Sequence, residues 1–179
     1  MTLMRRLPII AAAALFLCLG GTPGARAAED QTVRAFSAFQ GEGQIMRTGP
    51  QEATYIGVLS GRFYIDTEQG PVDAGSMTCP VVVHINLKDS TQRGNGQCIF
   101  TGREGNLAYM NLTCTGVPLV GCGGDSTLTG GAGRFANVTG GGQFMIRSNL
   151  DDVTAKPDST VKAKTSGIIF WSKLHYKIP

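Results

Sequence analysis

The sequence predicts an all-β protein folded as one eight-stranded antiparallel barrel, and three observations carry that reading. From residue 31 onward, β-rich runs alternate with turn clusters at 48–52 (TGPQE), 68–71 (EQGP), 92–96 (QRGNG), 102–106 (GREGN) and 116–121 (GVPLVG). This rhythm of short runs and turn signals marks a sandwich or barrel. No stretch in that region carries a helical stripe, and the clearest runs alternate apolar and polar residues with period two.

Eight runs are counted, near 31–46, 53–66, 77–87, 96–101, 106–115, 122–129, 140–148 and 161–178. Eight antiparallel strands suit a closed barrel, which leaves no exposed edge. In the third run Met77, Cys79, Val81, Val83, Ile85 and Leu87 form one face against Thr78, Pro80, His84, Asn86 and Lys88. Pro80 lacks a backbone donor and so predicts a strand start or an edge there. The last run sets Ile168, Phe170, Ser172, Leu174, Tyr176 and Ile178 against Trp171, Lys173, His175 and Lys177. The hydrophilic stretch 148–159 is read as an exposed loop. Its Asp151–Asp152 pair lacks the spaced oxygen ligands that calcium needs.

The chain opens with MTLMRR, continues with an apolar run from Leu7 to Leu19, and reaches a small-x-small site at Ala25-Arg26-Ala27. These are the three parts of a cleavable secretory signal, so residues 1–27 are expected to be removed and 28–179 to form a single domain. A run this short falls below the roughly 20 residues of a spanning helix, and no later run is longer, so no transmembrane segment is expected after cleavage. Cys18 follows Leu17, not the small residue that lipidation prefers, and reads as incidental. The expected destination is the periplasm or the medium.

Three of the 16 basic residues (Arg5, Arg6 and Arg26) lie in the leader, leaving 13 against 13 acidic ones. A near-neutral domain with no Lys/Arg cluster excludes nucleic acid as a partner. Four cysteines remain, Cys79, Cys98, Cys114 and Cys122, an even number in an exported chain. Of the three connectivities, loop geometry favours Cys79–Cys98 and Cys114–Cys122, each tying neighbouring strands across one connection. With no CxxC pair, and His84 and His175 far away in sequence, neither a metal site nor a cofactor is expected.

The strongest local pattern runs from Ser126 to Gly142, STLTGGAGRFANVTGGG. Residues 131–136 formally satisfy G-x-G-x-x-G/A, but three glycines stand where a phosphate-binding helix would begin, so a turn is predicted. Gly130, Gly131, Gly133 and Gly140 permit positive φ and close backbone approach at a barrel corner, and Phe135 plugs that end. The segment GGAGRFANVTG resembles the GGTGxFxxxxG turn of the allene oxide cyclase and dirigent proteins and their bacterial relatives. The likeness is most specific over Cys98 to Arg147, and Ala132 replaces the usual Thr. It implies a calycin-like eight-stranded barrel. No motif carries that family's catalytic residues onto this chain.

Alternation places Tyr55, Phe63, Tyr109, Phe144, Phe170 and Tyr176 inward. Tyr55, Tyr109 and Tyr176 are the candidate pocket residues, since a phenol at the end of an apolar body suits an apolar ligand with one polar group. The competing reading is a solid aromatic core. Both histidines fall on polar faces and no carboxylate pair is discernible, so no acid, base or nucleophile is nominated. Three functions stand: an exported barrel that binds a small apolar molecule, a cyclase or isomerase of the allene oxide cyclase type, and a structural or outer-membrane barrel.

Overall fold

The computed structural model describes residues 28–155 and 160–179, so the leader at 1–27 lies outside the described residues. The chain forms β1 (Glu29–Gly49), β2 (Glu52–Thr67), β3 (Gly70–Asn86), β4 (Thr91–Thr101), β5 (Leu107–Val117), β6 (Gly121–Ala132), β7 (Thr139–Ala155) and β8 (Thr160–Ile178). Each strand pairs antiparallel with the next, and β8 returns to β1, closing the barrel. The all-β, eight-stranded fold is as predicted. Several strands are longer than their hydrophobic runs, because the ladders continue into polar hairpin ends.

Two of the turn and loop expectations are corrected. Gly94 and Gly96 of the QRGNG cluster lie inside β4, paired with Cys114 and Leu112 of β5, and not in a turn. The supposed loop from residue 148 is β7 as far as Ala155, paired with β8; residues 156–159 are outside the described residues. Pro80 is mid-strand in a barrel that has no edge. The β3–β4 pairing passes from Thr78–Ile99 to Val81–Gly96, so Pro80 falls where the ladder skips.

Bulges set which face of each strand points inward. On β1, Val33 and Ala35 are two apart, while their β8 partners Leu174 and Trp171 are three apart, so β8 carries an extra residue at Ser172–Lys173. A bulge of one residue exchanges the two faces of a strand. Leu174, Tyr176 and Ile178 therefore point inward as predicted, whereas before the bulge Ile169 and Trp171 do. Phe170, expected inside, is 39% exposed on the outer wall.

The halves of the barrel differ. The closed end carries the β2–β3, β4–β5 and β6–β7 turns and is filled by Met77, Phe100, Met110, Leu128, Val138, Leu174 and Ile178 around Trp171. Phe63, Phe100 and Phe144 surround the indole with ring centroids 6.0, 6.1 and 6.2 Å away. The indole Nε1 donates to Ser126 Oγ at 3.1 Å, and that hydroxyl donates to the Gly142 carbonyl at 2.7 Å. The polar atoms of this deep core are thus satisfied, as buried polar groups must be.

The glycine corner belongs to the closed end. Gly130, Gly133 and Gly140 have φ of 124°, 63° and 128°, and a Cβ on Gly131 would meet the Leu107 carbonyl oxygen at 2.1 Å. A short 3-10 turn, Gly133–Phe135, crosses the corner, and the Phe135 ring packs against the core cluster.

Both disulfides form within neighbouring strand pairs: Cys79–Cys98 joins β3 to β4 and Cys114–Cys122 joins β5 to β6. Two such bridges place the folded chain in an oxidising compartment. No helix among the described residues is long and apolar enough to cross a membrane.

Candidate functional site: an apolar cavity in the open half of the barrel

The other half of the barrel is not filled. A cavity of about 150 Å³ opens between the β1–β2, β3–β4 and β5–β6 turns, with Phe39, Leu59 and Phe144 among the residues lining its inner part. Ile45, Val81, Val83, Ile85, Leu112, Ile146 and the Cys114–Cys122 disulfide add to its wall, so nearly all of its surface is hydrocarbon or sulfur.

Glycines on the inner wall leave this space. Gly94 and Gly96 on β4 occupy alternate, inward positions of the cavity wall, whereas the inward Gly41, Gly43 and Gly57 are covered by the Leu59, Thr165 and Tyr55 side chains. A Cβ at Gly94 would stand 3.1 Å from Cys114 Sγ, and one at Gly96 would stand 3.1 Å from Val81 Cγ1. Glycine in a strand interior sacrifices backbone entropy and packing, and marks a place where something else approaches closely.

Tyr55 is the exceptional polar group of the wall. Its ring lies along β2 over Gly57 and Gly43, so close that a Cβ on Gly57 would meet its hydroxyl at 2.2 Å. That hydroxyl is buried and, among the described residues, has no hydrogen-bond partner. Burial, and then the charge of Glu42, push the phenol pKa above its usual value, so it keeps its proton well past neutral pH. Two other polar groups of the lining are engaged with the backbone: Gln92 Nε2 donates to the Gly121 carbonyl at 3.1 Å and Thr165 Oγ1 to the Asn149 carbonyl at 2.6 Å.

The mouth is rimmed by exposed apolar side chains. Leu87, Val117, Leu119, Val120 and Leu150 stand at this end, with Leu119 the most exposed at 71%. Leu119 occupies the third position of the Val117–Val120 turn with a φ of 63°, where glycine is usual, and its side chain reaches the cavity edge.

The three tyrosines singled out from sequence are not brought together. Tyr55 lines the cavity. Tyr109 lies on the outer wall of β5, 37% exposed, because Met110 pairs with inward Cys98 and so shares its face. Tyr176 points inward at the closed end, where its hydroxyl donates to Glu29 Oε1 at 3.0 Å and lies 3.1 Å from Gln31 Oε1. It sits beside the Arg134–Glu29 ion pair, which ties the glycine corner to the start of β1. Burial, then the hydrogen bond to the Glu29 carboxylate, push the Tyr176 pKa up to about 12.

This predicts a pH dependence. Between pH 10 and 12 the unfolded chain releases this proton while the folded chain keeps it, so the Tyr176 contribution is complete below pH 10 and is lost as pH rises through 12. Urea unfolding across that range should show stability falling more steeply in the wild type than in Tyr176→Phe; parallel curves would contradict the assignment.

No general acid or base faces the cavity: its described lining contains no carboxylate, histidine, lysine or arginine. His84 Nδ1 lies 3.3 Å from Thr54 Oγ1 on the outer wall, and His175 Nε2 lies 2.7 Å from Asp30 Oδ1 at the closed end. Among the described residues no cluster of His, Cys, Asp or Glu could hold a metal ion. The lining therefore offers mainly apolar contact, with the Tyr55 phenol its most acidic group. The pocket glycines Gly94 and Gly96 were missed from sequence; their signal was a G-x-G inside a β run. No protein-family model and no curated protein matches the chain.

Proposed function

We propose that the protein is an exported barrel, periplasmic or secreted, that binds a small apolar molecule in the open half of its interior. The observation that carries this reading is the contrast between the halves. Protein interiors are packed to crystal-like density. Here the inward Gly94 and Gly96 leave space at the wall while the neighbouring layers are filled with large side chains. An apolar ligand would recover the lost contacts.

The composition of the wall favours binding over acid–base turnover of the cyclase or isomerase type, since a single neutral phenol is its only proton-bearing group of moderate pKa. The glycine corner at the closed end is consistent with kinship to the allene oxide cyclase and dirigent barrels. A fold shared with enzymes does not transfer their chemistry. An outer-membrane barrel is disfavoured by the outer wall, where Glu42 pairs across strands with Lys164 and Gln44 with Lys162. The lysines at such positions would cost about 2–4 kcal/mol each at mid-bilayer.

Calorimetric titration of the mature domain with toluene, styrene and naphthalene tests the reading. We expect saturable binding, at least tenfold weaker in Gly94→Val, whose side chain stands in the cavity. If no apolar probe binds, or if the filled variant binds as the wild type does, the cavity is not a binding site.

A further inference from the structure

We infer that the cavity selects an uncharged ligand about one ring wide that carries a hydrogen-bond acceptor, and that the Tyr55 hydroxyl donates to that acceptor. The inference rests on the binding reading above and adds the chemical class of the ligand. Three features of the wall point the same way.

The first is size. An apolar cavity of about 150 Å³ holds a benzene molecule, so the space here is of the size that accepts one six-membered ring with a short substituent reaching out of the mouth.

The second is charge. With no lysine, arginine or histidine among the described lining residues, a bound carboxylate would lose its water and gain no counter-ion. With no aspartate or glutamate there, an ammonium group would fare no better. An unpaired ion in such a site is expelled or neutralised.

The third is the Tyr55 hydroxyl. Buried without a partner, it is a polar group that the empty barrel leaves unsatisfied. A group in this state loses no hydrogen bond when its ring lifts from the Gly57 notch toward the cavity, and it gains one if a carbonyl, ether or epoxide oxygen is waiting there. The phenol is held protonated by its surroundings, which makes it a donor. Gln92 and Thr165 already donate to the backbone, and the lining amides Asn95 and Asn149 are exposed to solvent, unlike the Tyr55 hydroxyl.

Three probes of nearly one shape separate these features: acetophenone, a ring with a carbonyl; α-methylstyrene, in which a CH₂ group replaces that oxygen; and benzoate. Each is titrated calorimetrically at pH 7 into the wild type and into Tyr55→Phe. Acetophenone is expected to bind the wild type about tenfold more tightly than α-methylstyrene, the gain of one hydrogen bond in a dry site. Benzoate is expected to bind at least a hundredfold more weakly than acetophenone. In Tyr55→Phe the acetophenone advantage disappears, and an unchanged far-ultraviolet circular dichroism spectrum shows that the variant barrel is intact.

Equal affinity of the wild type for acetophenone and α-methylstyrene, an unchanged preference in Tyr55→Phe, or strong binding of benzoate would overturn the inference and leave the cavity as a simple apolar site. If none of the three binds and the hydrocarbon titrations above also fail, the binding reading itself falls, and this inference with it.

Discussion

Replacing Trp171 by alanine is expected to destabilise the fold by about 3–5 kcal/mol, the range for deleting a large buried aromatic side chain. The indole is fully buried and is surrounded by Phe63, Phe100 and Phe144, so its removal empties the centre of the packed half. It also takes the donor from Ser126 Oγ, itself only 5% exposed. A domain of this kind has a total stability of about 5–15 kcal/mol, so the variant should sit close to the unfolding threshold. Urea unfolding at 25 °C should show the midpoint fall steeply with little change in slope. Trp171→Phe, which keeps an apolar ring and forfeits mainly the hydrogen bond, should lose markedly less. A loss under 1 kcal/mol for Trp171→Ala would mean that the core is not organised around this ring.

The second large effect concerns the buried disulfide. Cys79 and Cys98 are 0% and 1% exposed and lie 19 residues apart. Closing a loop of that length removes chain entropy from the unfolded state worth about 3 kcal/mol. The double substitution Cys79→Ala, Cys98→Ala should lower stability by that amount, together with a smaller penalty for the vacated sulfur volume. Breaking Cys114–Cys122, which closes only 8 residues, should cost less. The bridges should also differ in access. Cys114 and Cys122 line the open cavity, whereas Cys79 and Cys98 are shut inside the barrel, so dithiothreitol should reduce Cys114–Cys122 first in the native protein. Reduction in the reverse order, measured by alkylation and peptide mass mapping, would contradict the placement of the cavity.

The parts of the fold legible in the sequence are those set by local chemistry. Turn clusters at 48–52 and 116–121 do separate strands, and alternation from Met77 to Ile85 gives the inner face of β3. The cysteine pairs follow from loop length, since short hairpin connections bring Cys79 to Cys98 and Cys114 to Cys122. What alternation could not supply is phase where both faces of a strand are apolar. On β5 Leu107 and Tyr109 alternate with Ala108, Met110 and Leu112, and hydrophobicity alone does not choose between the two sets. The disulfides do choose: with Cys114 turned inward, Met110 and Leu112 share its face and Tyr109 faces out. On β8 the bulge at Ser172–Lys173 exchanges the faces mid-strand, so a single alternation read through it is right for Leu174, Tyr176 and Ile178 and wrong for Phe170.

The site was the least legible part, because a cavity is a matter of missing side chains. Gly94 and Gly96 have the composition of a turn, and only the ladder with β5 shows that they lie in a strand facing inward. The tyrosines were nominated for a property that all three share, a phenol on an apolar body. Their surroundings distinguish them: Tyr176 has partners in Glu29 and Gln31, Tyr109 faces solvent, and the Tyr55 hydroxyl alone is enclosed and unpartnered.

The most direct measurement is native mass spectrometry of the mature protein isolated from its own host, compared with the same sample after mild denaturation. The account predicts a complex carrying one neutral, ring-sized molecule that is released on denaturation, leaving a chain four hydrogens lighter than its fully reduced form. A barrel that is empty as isolated, and that acquires no adduct when incubated with a panel of small apolar compounds, would contradict it.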